Sequence, residues 1–336
     1  MGWRTWRKLS VTSGLVLLQN LAPLLSYAYT GDETDCVLCG GKRSATLCRT
    51  DRRWKPLETR VCLDCGLMRT QPMPSEAELA DYYRHDYRLD YQFTRSPGRA
   101  HRCRARREAS VRAEHLRYLL RPGTTVLDMG CGSGEFVHLA TTLGCRARGA
   151  DPGCAYLEHA RDRPGVAVDP GGWRDLAYED GSFEVITLNH VLEHLREPVA
   201  ALTRIRRWLT PGGRVFIAVP DMRTNDQPSF ERFHFAHVHG FIPQTLEATA
   251  AAAGLVPETG GRLETTTAVF RQANEADRSI AIVDPARAER LLESYPDDSV
   301  ARYILGGGWV RDVGQRALGW WRDSRGDRGR KQKRRG

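Results

Sequence analysis

The 336-residue sequence has no apolar run as long as a bilayer-spanning helix needs, about twenty residues; its most apolar early stretch, at 15–25, is broken by Gln19, Asn20 and Pro23. It has no internal repeat, which excludes solenoids and propellers. It has no GxxxxGK[ST] run, which disfavours an ATP-type phosphate loop. Its nine cysteines are odd in number and lack the spacing of a secreted disulfide framework, so a reducing, cytoplasmic setting is expected. What remains is 41% apolar and 27% charged, which excludes wholesale disorder, collagen and a polytopic membrane protein. The length allows about two domains.

The net charge of +9 is concentrated in two zones. Residues 95–121 hold nine basic and two acidic residues, residues 311–336 hold ten and three, and the rest of the chain is mildly acidic. Such zones fit a solvated helix face and a solubilising tail, or contact with an anionic partner such as RNA or a membrane surface. Basic and aromatic residues are not interleaved as in a nucleic-acid stacking platform. The segment 1–34, with Trp3, Arg4, Trp6, Arg7 and Lys8 ahead of its leucines, reads as a short amphipathic arm that docks on the body or on a membrane.

From residue 122 the pattern alternates between short apolar runs and helical periodicity. Strands are expected at 125–129, 146–150, 184–188 and 214–219, and helices at 135–143, 154–161, 198–209 and 244–253. Pro211-Gly212-Gly213 is expected as a tight turn, and 256–263 and 265–270 as the last strands. This alternation implies a parallel sheet with helices on both faces. Ahead of it, Ser75 is placed to cap a short helix from Glu76, and Ala109, Ala113, Leu116 and Leu120 mark an amphipathic helix at 103–121. Behind it come helices at 286–294 and 300–321 and a polar basic tail.

The most informative segment is Val126-Leu127-Asp128-Met129-Gly130-Cys131-Gly132-Ser133-Gly134. Glycines at a strand-to-helix turn let a ligand approach the main chain where side chains would block it. The next strand ends at Asp151, placed to hold two ribose hydroxyls. The glycine spacing disfavours NAD. These residues, with Gly181-Ser182-Phe183, with Val191-Leu192-Glu193-His194-Leu195 before Pro198, and with Leu209-Thr210-Pro211-Gly212-Gly213, resemble the successive motifs of class I S-adenosylmethionine-dependent methyltransferases of the ubiquinone-biosynthesis-like branch. The resemblance covers roughly 122–270 and implies a doubly wound, Rossmann-like α/β fold with a seven-stranded, mostly parallel sheet. It implies that Gly130, Gly132 and Gly134 lie against the cofactor's methionine portion. Asp128 would orient the loop and the ammonium group, Asp151 would hold the ribose, and Asn189 and His190 would face the methyl-transfer cleft. The branch's usual acidic adenine contact is missing, so that role falls to Trp173 by stacking, or to Asp169 or Asp175.

Proton removal is needed only if the acceptor is a hydroxyl, a charged amine or an acidic carbon, and histidines are the candidate bases. His234, His237 and His239 lie in a loop that crosses the acceptor side in the resembled fold. His237, four residues before Phe241, best matches the branch's His-x-x-x-Phe arrangement, and His237, His239 and His190 are the catalytic candidates; a metal held by the three loop histidines is a weaker option. Glu193-His194 is read as structural.

Cys36, Cys39, Cys62 and Cys65 form two CxxCG units that can supply four thiolates to a structural zinc ion. Zinc would provide folding energy that segment 35–75, poor in periodic apolar residues, lacks. A disulfide-exchange role would need a thioredoxin-like context, which is absent. The expected organisation is an N-terminal arm (1–34), a zinc-ribbon-like module (35–75), a helical acceptor-side lid (76–121), a methyltransferase domain (122–271) and a helical extension with a basic tail (272–336). The expected function is methyl transfer to a small-molecule acceptor, a sugar, a polysaccharide or lipid precursor, or a secondary metabolite. An RNA methyltransferase and a non-catalytic module at a membrane surface are the alternatives, and some sugar and ribosomal-RNA methyltransferases carry cysteine-rich modules of this kind.

Overall fold

Strand and helix periods alternate along the chain as the sequence requires, and their order in space sets where a ligand can bind. The computed structural model describes residues 26–87, 99–223, 229–277 and 279–295. The apolar stretch at 15–25, the helix expected at 300–321 and the basic tail lie outside the described residues. In chain order the elements are β1 (Ser44–Thr50), β2 (Pro56–Cys62), β3 (Met68–Thr70), α1 (Glu76–His85), α2 (Arg99–His115), β4 (Thr125–Met129), α3 (Glu135–Thr142), β5 (Arg146–Asp151), α4 (Cys154–Arg161) and β6 (Ala167–Pro170). They continue with β7 (Phe183–Asn189), α5 (Pro198–Trp208), β8 (Leu209–Ala218), β9 (His239–Gly240), α6 (Pro243–Ala252), β10 (Leu255–Pro257), β11 (Thr267–Gln272) and α7 (Pro285–Ser294).

The large sheet has seven strands in the order β10-β11-β8-β7-β4-β5-β6. β11 runs antiparallel to both of its neighbours, and the pairs from β8 to β6 are all parallel. The fold is therefore the doubly wound α/β class expected from the alternation. Period-two alternation assigns the two faces. Val126, Val185, Phe216 and Ala218 pack with Ala109, Ala113 and Leu116 of the α2 region and Phe136 of α3. Leu127, Ile186, Leu188, Val215 and Ile217 pack with Leu202, Ile205 and Trp208 of α5 and Leu246 of α6. The chain runs outward from β4 to β6 and returns to the other side of β4 with β7, and ligands bind outside the carboxyl ends of the strands at such a reversal.

Local chemistry explains the helix starts. Ser75 caps α1 with a full capping box, its hydroxyl accepting from Glu78 N while the Glu78 side chain accepts from Ser75 N. Pro198 and Pro243 stand in the first turns of α5 and α6, where a missing N–H costs nothing. β6 was not anticipated, because its four residues carry no apolar run. The tight turn expected at 211–213 is instead a bulge inside β8: Phe183 pairs with Leu209 but Val185 pairs with Arg214, and the extra residues loop out where Gly212 takes φ +80°.

The cysteine segment does not stand alone. β1, β2 and β3 pair antiparallel, and β3 pairs in turn with β9 from the loop after β8, so two distant stretches share one small sheet. Val61, Leu67, Met68 and Met73 are fully buried, and Cys36, Leu38, Cys62, Cys65 and Leu67 belong to the same core as the large sheet. A segment poor in apolar periodicity is thus held by the body built on the large sheet. From the other end of the chain, Asp284 N donates to Asp64 O, and the Arg287 guanidinium donates to the Ala281, Ile282 and Cys65 carbonyls. The described end of the N-terminal arm packs as well: Tyr27 stacks on Phe235 with ring centroids 4.6 Å apart and its hydroxyl donates to Asp51. Among the described residues no helix is long and apolar enough to cross a membrane.

Candidate active site

The turn after β4 is built on positive φ angles: Gly130 at +68°, Gly132 at +54° and Gly134 at +74°. The left-handed region costs a residue with a Cβ about 1–2 kcal/mol. At Gly130 space forbids a side chain too, because a Cβ would meet Val191 Cγ2 at 2.4 Å. At Gly132 packing does not, since the nearest atom is Tyr156 Cδ1 at 3.9 Å. The open side of Gly132 leaves the main chain accessible, which is what a close-lying ligand requires.

Asp151, at the end of β5, braces this turn. It is 7% exposed; Oδ2 accepts from Gly132 N at 2.9 Å and Oδ1 from Gly153 N at 2.7 Å. Each oxygen retains a lone pair for a ligand hydroxyl. Asp128 stands near the carboxyl end of β4, just before the turn. It lies 2% exposed beneath the turn, where Oδ1 accepts from Arg112 Nη1 and Thr187 Oγ1. Burial pushes its carboxyl up, opposed by the Arg112 charge and the Thr187 hydroxyl. Its role here is to tie α2 to β4 and β7 behind the turn. Of the adenine candidates, Trp173 is half-buried under the Arg174 guanidinium, 4.2 Å from the ring centroid. Asp169 is engaged by Arg148 and the Tyr178 hydroxyl, and Asp175 accepts from Gly172 N, which leaves Trp173 as the least committed of the three.

At the carboxyl end of β7, Asn189 leads into His190, a non-glycine residue at φ +55°. Strain at such a position is retained where the surroundings fix it. Here His190 N donates to Ala218 O and the ring lies 3.3 Å, Nδ1 to Oε1, from Glu193. Glu193 is 1% exposed, and among the described residues neither of its carboxylate oxygens has a hydrogen bond. Around Oε1 also stand His237 Nε2 at 3.8 Å and His194 Nε2 at 3.9 Å. The Glu193 carboxylate raises the His190 pKa, against the effect of burial. Burial first, then the neighbouring His234 and His194, hold His237 well below the usual imidazole value. Glu193, His194 and His237 each offer a ligand atom, all within 4.8 Å of one another.

Two expectations about this loop are corrected. His239 does not join the cluster: it is 1% exposed within β9, its Nε2 against Arg196 O at 3.1 Å, and burial lowers its pKa to about 4. A metal set of His234, His237 and His239 is therefore not assembled, and Glu193-His194 lies at the centre of the cluster. The tyrosines after the cysteine module also gain a definite assignment. Tyr83 OH lies 2.7 Å from His194 Nδ1 and 3.2 Å from Ala236 O, while Tyr82 is buried among aromatic rings. No local signal distinguishes these neighbours; only the docking of α1 does.

The four paired cysteines converge. Cys36 Sγ lies 3.5 Å from Cys65 Sγ and Cys39 Sγ lies 3.6 Å from Cys62 Sγ, and all four sulfurs are within 4.8 Å of one another. A tetrahedral zinc with Zn–S bonds near 2.3 Å sets its sulfurs about 3.8 Å apart. Each knuckle closes on a left-handed glycine, Gly40 or Gly66, and Gly41 N points at Cys39 Sγ from 3.4 Å. The donor set, spacing and N–H support fit a structural Zn2+.

The family model described as "Methyltransferase domain" matches residues 103–259. A protein of Mycolicibacterium smegmatis described as "Probable S-adenosylmethionine-dependent methyltransferase" is 30% identical over 185 residues, 52% of this chain and 68% of that one. The chain belongs to the class I S-adenosylmethionine-dependent methyltransferases. An uncharacterized 37.1 kDa protein of transposon Tn4556 in Streptomyces fradiae is 35% identical over 179 residues, 48% of the methyltransferase and 51% of its relative. A ubiquinone biosynthesis O-methyltransferase of Pseudomonas paraeruginosa is 36% identical over 105 residues, 29% and 44% of the two chains. The methyltransferase thus spans about half the length of these two relatives.

Proposed function

We propose that this methyltransferase acts on a small-molecule acceptor, held over the carboxyl ends of β7 and β8, and that its cysteine module carries a structural zinc. One observation supports the acceptor most directly: a cavity of about 510 Å3 opens beside Asn189 and His190. That volume lies in the range of small-molecule sites. When bound at the glycine turn, S-adenosylmethionine supplies an electrophilic methyl carbon on a positive sulfur. Asp151 and the main chain at Gly132 would hold it, and Trp173 would cover its base. Transfer disperses charge, so the protein's work is alignment and exclusion of water.

A hydroxyl acceptor must lose one proton as its oxygen takes the methyl. His190, with Glu193 behind it, lines the cavity and would receive that proton, and His237, held neutral by burial, stands 3.8 Å from the same Glu193 oxygen. Tyr83 orients His194 from the lid side. Sugars, polysaccharide or lipid precursors and secondary metabolites are all within this reading. The test is incubation of the full chain with methyl-labelled S-adenosylmethionine and extracts of its source, with mass spectrometry of the products. A labelled small molecule that disappears with Asp151→Ala supports the reading. Label confined to RNA or protein, or to no product, overturns it.

A further inference from the structure

The face of α2 that borders the cavity has a charge pattern that methyl transfer alone does not call for. Residues 109, 113 and 116 form the stripe packed on the sheet. The adjacent stripe, at helical spacings of three and four, carries Arg104, Arg107, Glu108, Val111, Arg112 and His115, and all six line the cavity. Phe216 and Ala218 from β8 give it an apolar wall, and Asn189, His190 and Thr267 complete the lining.

The cations on this stripe are not equivalent. Arg112 is 11% exposed and its charge is taken up by Asp128. Among the described residues Arg104 has only a loose ion-pair partner in Glu108, at 3.7 Å with both side chains more than half exposed. Arg107 is exposed and makes no ion pair among the described residues. Among the described residues a single carboxylate, Glu108, therefore faces two guanidinium groups that no other acid neutralises. A cleft with low-dielectric walls and an excess of one sign focuses its field on the opening and concentrates ions of the other sign there. Guanidinium groups in pairs recognise the planar or tetrahedral oxygens of carboxylates and phosphates.

Resting on the methyltransferase reading, we propose that the acceptor is a small organic anion. Its carboxylate or phosphate lies against Arg104 and Arg107, its apolar body lies on Phe216 and Ala218, and its methyl-accepting atom reaches toward His190. The site favours a small molecule over RNA, because the basic stripe lies on one side of a single helix, borders a cavity of about 510 Å3 and carries no aromatic stacking surface.

The experiment uses the full chain saturated with S-adenosylhomocysteine at about 50 mM salt, where a Debye length of roughly 14 Å keeps the field of the site measurable. Phenyl phosphate, benzoate and neutral benzyl alcohol are titrated separately by calorimetry into the wild type and into Arg104→Ala/Arg107→Ala. The expected result is that at least one anion binds tenfold or more tightly than benzyl alcohol, and that the double variant loses that preference. The tighter of the two anions tells phosphate from carboxylate. Both arginines are exposed, so the variant is expected to keep its fold and its affinity for S-adenosylhomocysteine, measured on the same samples. Anions that bind no better than benzyl alcohol, or equally well to the variant, overturn the proposal. So does a single-stranded RNA that binds more tightly than either small anion and depends on the same two arginines. A wild type that takes up no S-adenosylhomocysteine would instead overturn the reading beneath it.

Discussion

Replacing Gly132 with alanine separates what the glycine turn does for the fold from what it does for the ligand. At φ +54° an alanine is strained by about 1–2 kcal/mol. No collision adds to this, since its Cβ would have only Tyr156 Cδ1 near it, at 3.9 Å. For a domain of this size that strain lowers Tm by roughly 2–8 °C. Gly130→Ala has the same strain plus a Cβ 2.4 Å from Val191 Cγ2, which the neighbourhood must absorb. Overpacking of that kind adds about 1–3 kcal/mol, so this variant should lose about 2–5 kcal/mol in all. Calorimetric unfolding and titration with S-adenosylhomocysteine on the same preparations read both effects. Gly132→Ala is expected to be the more stable variant and yet to lose at least tenfold in affinity, because its methyl stands on the open side of the turn. If Gly132→Ala melts a few degrees early but binds within twofold of wild type, the cofactor does not lie against this stretch of main chain and the reasoning fails.

Asp151→Ala removes the acceptor of two backbone N–H groups as well as the ribose contact, so S-adenosylhomocysteine uptake should fall by a hundredfold or more; Asp151→Asn, which keeps one oxygen, should lose less, and the order of the two is read by titration. Elemental analysis of the purified chain should find about one zinc per molecule, and Cys65→Ser should lower both that content and Tm; a metal-free wild type with unchanged Tm would remove zinc from the account. The Glu78 carboxyl is pushed up by burial, but the Thr30, Ser75 and Gly31 N–H groups and the Ser75 hydroxyl outweigh this and hold it down at about 2. Its contribution to stability is therefore fully present above the unfolded value near 4.5 and is lost as pH falls toward 2, so the Tm gap between wild type and Glu78→Gln should close over that interval. Glu193→Gln is expected to lower kcat more than the affinity for S-adenosylhomocysteine; equal binding with unchanged turnover would make the histidine cluster structural only.

Local physics made much of this protein legible from its residues in order. Strand and helix periods, the Ser75 cap, the glycine turn after β4 and the two cysteine knuckles each depend on a few neighbouring residues, because φ constraints and side-chain periodicity act over one or two turns of chain. Asp151 at the end of β5 and Asn189 and His190 at the end of β7 follow from that pattern once the strands are known. Tertiary structure decided the rest. It joined β9 to β3 and so buried His239, brought Tyr83 of α1 onto His194, and set Arg112 of α2 against Asp128. It also turned Glu193, whose surroundings in sequence suggest only a turn, into the buried carboxylate on which three imidazoles converge. Each of these contacts joins elements far apart in the chain. Such partners are selected by how whole faces pack and exclude water, which no local pattern encodes.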